Sequence, residues 1–435
     1  MGPGWRAWLS CGFFLVSCLL ATMVVMAAKD PSIPVNFDES QVPDYTLPDP
    51  LTSATGEPVK TAEAWRTARR PELLQLFSEH VYGAMPPPCP IAAVETRDFK
   101  IGLGEVAAPA QEATLYFRAD RSGPAVRVLL VMPPASGDVR RWPVFLGYNF
   151  NGNHTVCDDT NITLAAVWNK QRQRETADAA TRGRSASRWP IANILAHGYA
   201  LATVYYGDVA PDHPEAFDQG VHGLYPTYQD RSDNWAAIGG WAWGLSRVLD
   251  YLQTQSQIDS RRVAVIGHSR LGKTALWTGA TDQRFALVVS NNSGCGGAAL
   301  ARRRMGETVA HINTSFPHWF CRNHHRYNGH EDDLPVDQHE LLALIAPRPL
   351  YVASATQDRW ADPKGEFLAA VAASEVYRLL GTDGLPATQW PAPQTPLIGR
   401  IGYHLRSGKH DVTAYDWERY LNFADRHFAE AGQEN

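Results

Sequence analysis

Residues 262–273 read Arg-Val-Ala-Val-Ile-Gly-His-Ser-Arg-Leu-Gly-Lys, and the fold turns on this stretch. The run 263–266 is apolar without alternation, the pattern of a strand covered on both faces in a parallel sheet. It passes into Gly267-His268-Ser269 and then into residues with helical spacing. A serine on such a sharp strand-to-helix turn has its hydroxyl lifted above the sheet edge, and the next backbone N–H faces a developing oxyanion. Ser269 is therefore the expected nucleophile, and the small Gly267 suits the tight turn. The usual form of this turn has a second glycine two residues after the serine. Here Leu271 holds that place and Gly272 follows, so the strand before and the helix after carry more of the assignment than the letters do.

A serine hydroxyl is a poor nucleophile at neutral pH; it needs a histidine base, and the histidine needs a carboxylate to hold its tautomer. In the α/β-hydrolase fold these follow in the order Ser, acid, His. The apolar run 349–355 reads as a strand that delivers Asp358 in the loop 356–360, with Asp362 just beyond as a rival acid. Ser407-Gly408-Lys409-His410-Asp411 then places His410 shortly before a terminal helix that includes Trp417, Tyr420, Leu421 and Phe428. The second oxyanion donor is expected from the loop 147–154, after the strand 144–146. Arg270 adds a charged donor beside the same oxygen, and Lys273 sits one helical turn from Ser269, within reach of a polar substrate.

Outward from this core, residues 113–117, 125–132 and 144–148 are short apolar or alternating runs bounded by Gly, Pro and Asp, which predicts an antiparallel start to the sheet. Residues 200–205, 262–266, 286–289 and 350–353 are continuous apolar runs with helical text between several of them, which predicts a parallel sheet buried on both faces. Helices are expected over 61–82, halted by Pro86-Pro87-Pro88, over 235–252, and from 273 onward. The expected architecture is a three-layer αβα sandwich with a mostly parallel central sheet and insertions. Residues 29–58, with Pro31, Pro34, Pro43, Pro48 and Pro50 among polar residues, read as an extended arm, and 59–435 as one catalytic domain.

Residues 1–28 have the order of a secretory signal peptide: one basic residue, Arg6, an apolar run over 9–26, and Ala27-Ala28 before Lys29-Asp30. An uncleaved anchor is the alternative, since roughly 18 apolar residues nearly span a bilayer. Leu15-Val16-Ser17-Cys18 resembles a lipobox, but the apolar run continues past Cys18. Beyond the signal, Cys89, Cys157, Cys295 and Cys321 are even in number and an oxidising compartment can pair them in three ways. No Cys-x-x-Cys occurs, and the nearest approach to a metal cluster, His324-His325 with His330, reads as solvated histidines. A composition of 44% hydrophobic and 20% charged residues excludes a disordered chain. A formal charge of -5 without a basic run excludes attraction to phosphate backbones, so no nucleic-acid partner is expected.

The text Gly-His-Ser-Arg-Leu-Gly-Lys-Thr-Ala-Leu-Trp at 267–277 resembles the nucleophile block of glucuronoyl esterases, carbohydrate esterase family 15. Residues 290–297, the aromatic segment 316–320 and the acid loop 358–363 resemble further blocks of the same family, so that recognisable text covers about 60–430. These enzymes cut the ester between (4-O-methyl-)glucuronic acid side groups of xylan and lignin alcohols. The resemblance implies a triad of Ser269, His410 and Asp358, with Arg270 at the oxyanion and Lys273, Glu307 and Trp360 on the sugar acid. There is one departure. Fungal members take the triad acid from the loop after the strand that follows the nucleophile, where this chain has Asn292; an amide cannot stabilise an imidazolium by charge, which moves the role to Asp358, as in bacterial members. The fungal sugar-binding glutamine has no clear counterpart.

Expected, then, is a secreted or periplasmic monomer that acts on a lignin–glucuronoxylan ester, with no metal, no organic cofactor and no lasting membrane association. The alternatives are a carbohydrate acetyl esterase, which uses the same acyl-transfer machinery, and a non-catalytic carbohydrate-binding relative.

Overall fold

Alternate residues along the central strands enter two different hydrophobic cores. Val144, Leu146, Val263, Val265, Leu350 and Val352 face one; Phe145, Ala264, Ile266, Tyr351 and Ala353 face the other. Both faces being buried is why these strands carry no polar alternation. The computed structural model describes residues 33–104, 106–134 and 141–430, and the expected signal peptide lies outside them. Among the described residues twelve strands run in chain order: β1 (Ala93–Leu103), β2 (Val106–Tyr116), β3 (Ala125–Val131), β4 (Trp142–Asn149), β5 (Ala166–Trp168), β6 (Arg174–Thr176), β7 (Ala200–Tyr205), β8 (Ile258–His268), β9 (Leu287–Asn291), β10 (Leu350–Ala355), β11 (Leu397–Ile398) and β12 (Ile401–Arg406).

Ten of them form one sheet in the order β1-β2-β3-β7-β4-β8-β9-β10-β12-β11, while β5 and β6 pair separately. The block from β7 through β12 is parallel. β1, β2 and β3 extend it antiparallel, and β11 pairs antiparallel at the far edge. Helix Ala237–Gln253, helix Arg270–Thr281 and helix Pro363–Leu379 cover the first core, and helix Ile191–Ala196 with helix Ala414–Glu430 covers the second. This is the expected three-layer sandwich.

Residues 144–148 depart from expectation: they lie in the parallel block as β4, between β7 and β8, rather than in the antiparallel start. The contact with β8 is close, since a Cβ on Gly147 would stand 2.6 Å from the Ile266 carbonyl oxygen. The helix expected over 61–82 is helical throughout its core, with two widened five-residue turns, Trp65–Arg69 and Ser78–Tyr82. β1 was not predicted, because most of its residues are exposed and polar and only Phe99, Ile101 and Leu103 pack inward. β12 was not predicted either, because it carries buried His404 and Arg406.

Asp416 makes that strand tolerable. It accepts from His404 Nε2 at 2.9 Å and from Arg406 Nε at 2.9 Å, and all three side chains are buried. Arg406 then donates to the carbonyls of Lys409 at 2.8 Å and Asp411 at 2.6 Å, so the ion pair also shapes the loop that bears His410. Among the described residues Cys89, Cys157, Cys295 and Cys321 are free thiols, and none of the three pairings is formed. His324 is buried rather than solvated: its Nδ1 meets Asn313 Oδ1 at 3.0 Å and burial lowers its pKa to about 3.

Removing one partner of a buried ion pair leaves an uncompensated charge, at a cost of roughly 3–5 kcal/mol. Asp416→Ala is therefore expected to lower the unfolding free energy measured by urea denaturation by an amount in that range, and a free energy unchanged from wild type would show that the pair does not hold β12 in the sheet.

Candidate active site

The turn after β8 puts Ser269 at φ 59° and ψ −129°, a positive-φ conformation that a side-chain-bearing residue adopts only when its surroundings hold it there. Its N–H donates to the Asn291 carbonyl at 2.9 Å, and its carbonyl accepts from Gly272 N at 2.8 Å and Lys273 N at 3.2 Å. Gly267 is required by contact: a Cβ there would lie 1.8 Å from the Leu271 carbonyl oxygen. Gly272 is pressed less hard, with Ser293 Cβ at 3.0 Å from a Cβ in that place. The glycine one residue later than usual thus still serves a close approach, here between the helix start and the strand β9 loop.

Two further strand ends converge on this turn. The loop after β10 carries Asp358 and the loop after β12 carries His410, and His410 Nδ1 meets Asp358 Oδ2 at 2.6 Å. The His410 ring lies 4.4 Å from that of His268, the residue before Ser269. His268 is buried, and desolvation first, then the His410 charge, hold its pKa well below the ordinary imidazole value, so it stays neutral. Its Nδ1 pairs with Asn291 Oδ1 at 2.6 Å. The rival acid is elsewhere: Asp362 pairs with Arg303 at 2.8 Å and accepts from Gly365 N at the start of helix Pro363–Leu379.

Asn292 takes part as a donor. Its Nδ2 reaches Asp358 Oδ2 at 2.8 Å, the same oxygen that faces His410, while its own Oδ1 is buried without a hydrogen-bond partner among the described residues. The amide that departs from the fungal pattern thus holds the carboxylate rather than replacing it.

Lys273, Glu307 and Trp360 are brought together on the β9–β10 side. Lys273 Nζ lies 3.8 Å from Glu307 Oε2 and donates to the Ser293 carbonyl, with both charged side chains at least 90% shielded from solvent. Burial raises the Glu307 pKa, against the opposing effects of Lys273 and of a hydrogen bond from Trp360. Residues of the N-terminal segment brace this corner: the Asn36 carbonyl accepts from Gly306 N at 2.8 Å, the Phe37 ring lies 6.3 Å from that of Trp360, and Glu39 pairs with Arg303 and Lys364.

On the other side Arg270 pairs with Asp212, and its guanidinium carbon lies 4.7 Å from the Trp319 ring centre, with Phe316 and Phe150 at 5.6 and 5.7 Å. Phe150 belongs to the loop expected to supply the second oxyanion donor, so that loop does reach the site. In the same loop Asn149 is occupied internally, by Asn153, Thr203 and Gly152 N.

Sequence reasoning missed Asp212, which is distant in the chain and carries no motif, and Glu366. Glu366 is buried below the site; it accepts from Ser293 N at 2.8 Å, Gly294 N at 2.9 Å and Ser354 Oγ at 2.6 Å, tying the loop that contacts Lys273 to the strand that delivers Asp358. Its one readable signal was a carboxylate in the first turn of a helix close behind the acid loop.

A mostly parallel sheet with helices on both faces and a serine on the turn after its central strand is the α/β-hydrolase fold. Residues 185–381 match the family model for glucuronyl esterase, fungi. Carbohydrate esterase MZ0003, from an unknown prokaryotic organism, is 47% identical over 430 residues, covering 94% of this chain and 98% of that protein. A 4-O-methyl-glucuronoyl methylesterase of Cerrena unicolor is 27% identical over 384 residues, 82% of this chain and 70% of that protein. The solved glucuronoyl esterase from Solibacter usitatus superposes with a TM-score of 0.85 at 44% identity, over 89% of this chain and 99% of its own. A promiscuous CE15 esterase from a marine bacterial metagenome does so with a TM-score of 0.82 at 48% identity, over 91% of this chain and all of its own. The chain belongs to the glucuronoyl esterase family, carbohydrate esterase family 15, and is an esterase.

Burial raises the Glu366 pKa from 4.5 to about 7, so the folded protein binds this proton more tightly than the unfolded chain does. The sign follows: wild-type stability falls as pH rises from about 4.5 to about 7, and a neutral Glu366→Gln side chain removes that loss. Urea denaturation at pH 5 and pH 8 should show the variant gaining on wild type by on the order of 2–3 kcal/mol across the interval. Parallel pH profiles for the two proteins would contradict it.

Proposed function

We propose that this esterase hydrolyses esters of (4-O-methyl-)D-glucuronic acid, as in lignin–glucuronoxylan cross-links, through Ser269, His410 and Asp358 and an acyl-enzyme. The observation that carries the proposal is the 2.6 Å His410–Asp358 hydrogen bond beside a strained Ser269, with a buried Lys273–Glu307 pair on the adjoining wall. The names of the relatives, glucuronoyl esterase and 4-O-methyl-glucuronoyl methylesterase, support the substrate class.

In this mechanism His410 Nε2 takes the Ser269 proton as Oγ attacks the ester carbonyl, and Asp358 stabilises the imidazolium through Nδ1–H. The tetrahedral oxyanion accepts hydrogen bonds from the Arg270 side chain and a backbone N–H of the turn. His410 then gives its proton to the leaving alcohol oxygen. A water attacks the acyl-enzyme with His410 again as base, and the uronic acid departs as Ser269 recovers its proton. Lys273 and Glu307 bracket sugar hydroxyls, and the Trp360 indole offers a donor beside an apolar face. Neither metal nor organic cofactor enters these steps. Export by cleavage after residue 28 and a monomeric state belong to the same proposal, as does the division into an N-terminal arm, 29–58, and a catalytic domain, 59–435.

The test is the initial rate on benzyl glucuronate beside an acetylated xylan oligomer, for wild type and Ser269→Ala. The expected result is preferential release of glucuronic acid, lost by roughly 10⁴-fold or more in the variant with its fold retained. Serine-dependent release of acetate alone would discard the substrate in favour of an acetyl esterase, and binding without turnover in wild type would favour a non-catalytic carbohydrate-binding protein.

A further inference from the structure

We propose that Asp212 is a positioning residue for the oxyanion step: it fixes the Arg270 guanidinium so that a free N–H of that group remains available to the tetrahedral oxygen. The inference rests on the serine acyl-transfer reading above.

Arginine is a long side chain with many rotamers, and a donor aimed at a transition state is effective only if it is already in place. Asp212 supplies the fixed point. Its Oδ2 accepts from Arg270 Nη1 and from Tyr206 Oη, the latter at 3.2 Å; its Oδ1 accepts from Trp319 Nε1 at 2.7 Å and faces His318 Nε2 at 2.9 Å. A carboxylate has about four lone-pair sites, and these four partners fill them. Besides Arg270 the partners come from two separate segments, 206 and 318–319, so Asp212 cannot turn without breaking contacts to both.

Around the pair the guanidinium is enclosed by rings. Phe316 and Trp319 stack at 3.7 Å and 3°, Trp319 lies 4.7 Å from the guanidinium carbon, and Phe150 lies 5.7 Å from it. Burial opposes charge on both partners, yet their mutual attraction prevails: Asp212 is held below the ordinary carboxylate range and Arg270 is raised. Asp212 takes one of the five guanidinium N–H groups, through Nη1, and others are left over. Arg270 Nε is buried with no hydrogen-bond partner among the described residues. A buried N–H without an acceptor is costly, and it is repaid where an acceptor arrives during reaction. Arg270 follows Ser269 directly in the chain, so that acceptor is the oxyanion that forms when Ser269 attacks. Because Asp212 balances the guanidinium charge, its contribution is geometric: Asn in its place turns an N–H₂ group toward donors and releases the arginine.

The experiment is a double-mutant cycle with steady-state kinetics on benzyl glucuronate. Asp212→Asn is expected to lower kcat by about 10–100-fold with KM changed less than about 3-fold, since only the transition state carries the oxyanion. In an Arg270→Gln background, itself about 10²–10³-fold slower, the same change should lower kcat by less than about 2-fold. An equal loss in both backgrounds, a loss confined to KM, or an unchanged kcat in the Asp212→Asn single variant would each overturn the inference. Should Asp212→Asn fail to fold, Tyr206→Phe removes one of the four donors and is put through the same cycle, with a smaller kcat loss that vanishes beside Arg270→Gln; a loss that persists there overturns it. A fully active Ser269→Ala protein would instead bring down the acyl-transfer reading, which keeps the two failures apart.

Discussion

The approach of Gly267 to the Leu271 carbonyl, where no Cβ can stand, is the constraint on which the rest of the site depends. It lets the chain reverse from β8 into the following helix within one residue. That reversal puts Ser269 at a positive φ of 59°. The cost is met by hydrogen bonds from both sides: the Asn291 carbonyl takes the serine N–H and the first helical turn takes its carbonyl. A strained backbone over-determined by its surroundings is the usual economy of such turns.

Around this point the protein buries several carboxyl groups, and each accepts hydrogen bonds. Asp416 with His404 and Arg406 shapes the His410 loop; Glu366 ties the Ser293–Gly294 backbone to β10; Asp362 with Arg303 starts helix Pro363–Leu379 behind Asp358; Asp212 holds Arg270. Each lies under a loop that presents a site residue. Loops at the carboxyl ends of parallel strands have few backbone partners of their own, and a buried carboxylate that accepts several backbone or side-chain donors gives such a loop one conformation.

The parallel core was legible because its strands are apolar on both faces; β7, β8, β9 and β10 all lie where continuous apolar runs predicted strands. The elbow was legible because a strand, a glycine, a serine and a helix fall in immediate succession. What could not be read was polar text folded inward. β12 is a strand only because Asp416, ten residues beyond Arg406, neutralises it, and β1 is a strand only because β2 pairs with it residue for residue. The same holds at the site. Ser269, Asp358 and His410 follow the chain order of the α/β-hydrolase fold, and Asp358 rather than Asp362 faces His410, a choice that spacing left open. Asp212 and Glu366 act on residues 58 and 73 positions away in sequence, where no local pattern marks them.

The central claim is that Ser269 is the nucleophile. The most direct measurement is peptide-mapping mass spectrometry after stoichiometric treatment with an organofluorophosphonate, followed in parallel with residual esterase activity. The account predicts a single adduct on the Ser269 hydroxyl whose occupancy tracks the loss of activity one for one. An adduct on another residue that tracks inactivation, or full modification of Ser269 with activity retained, would contradict it.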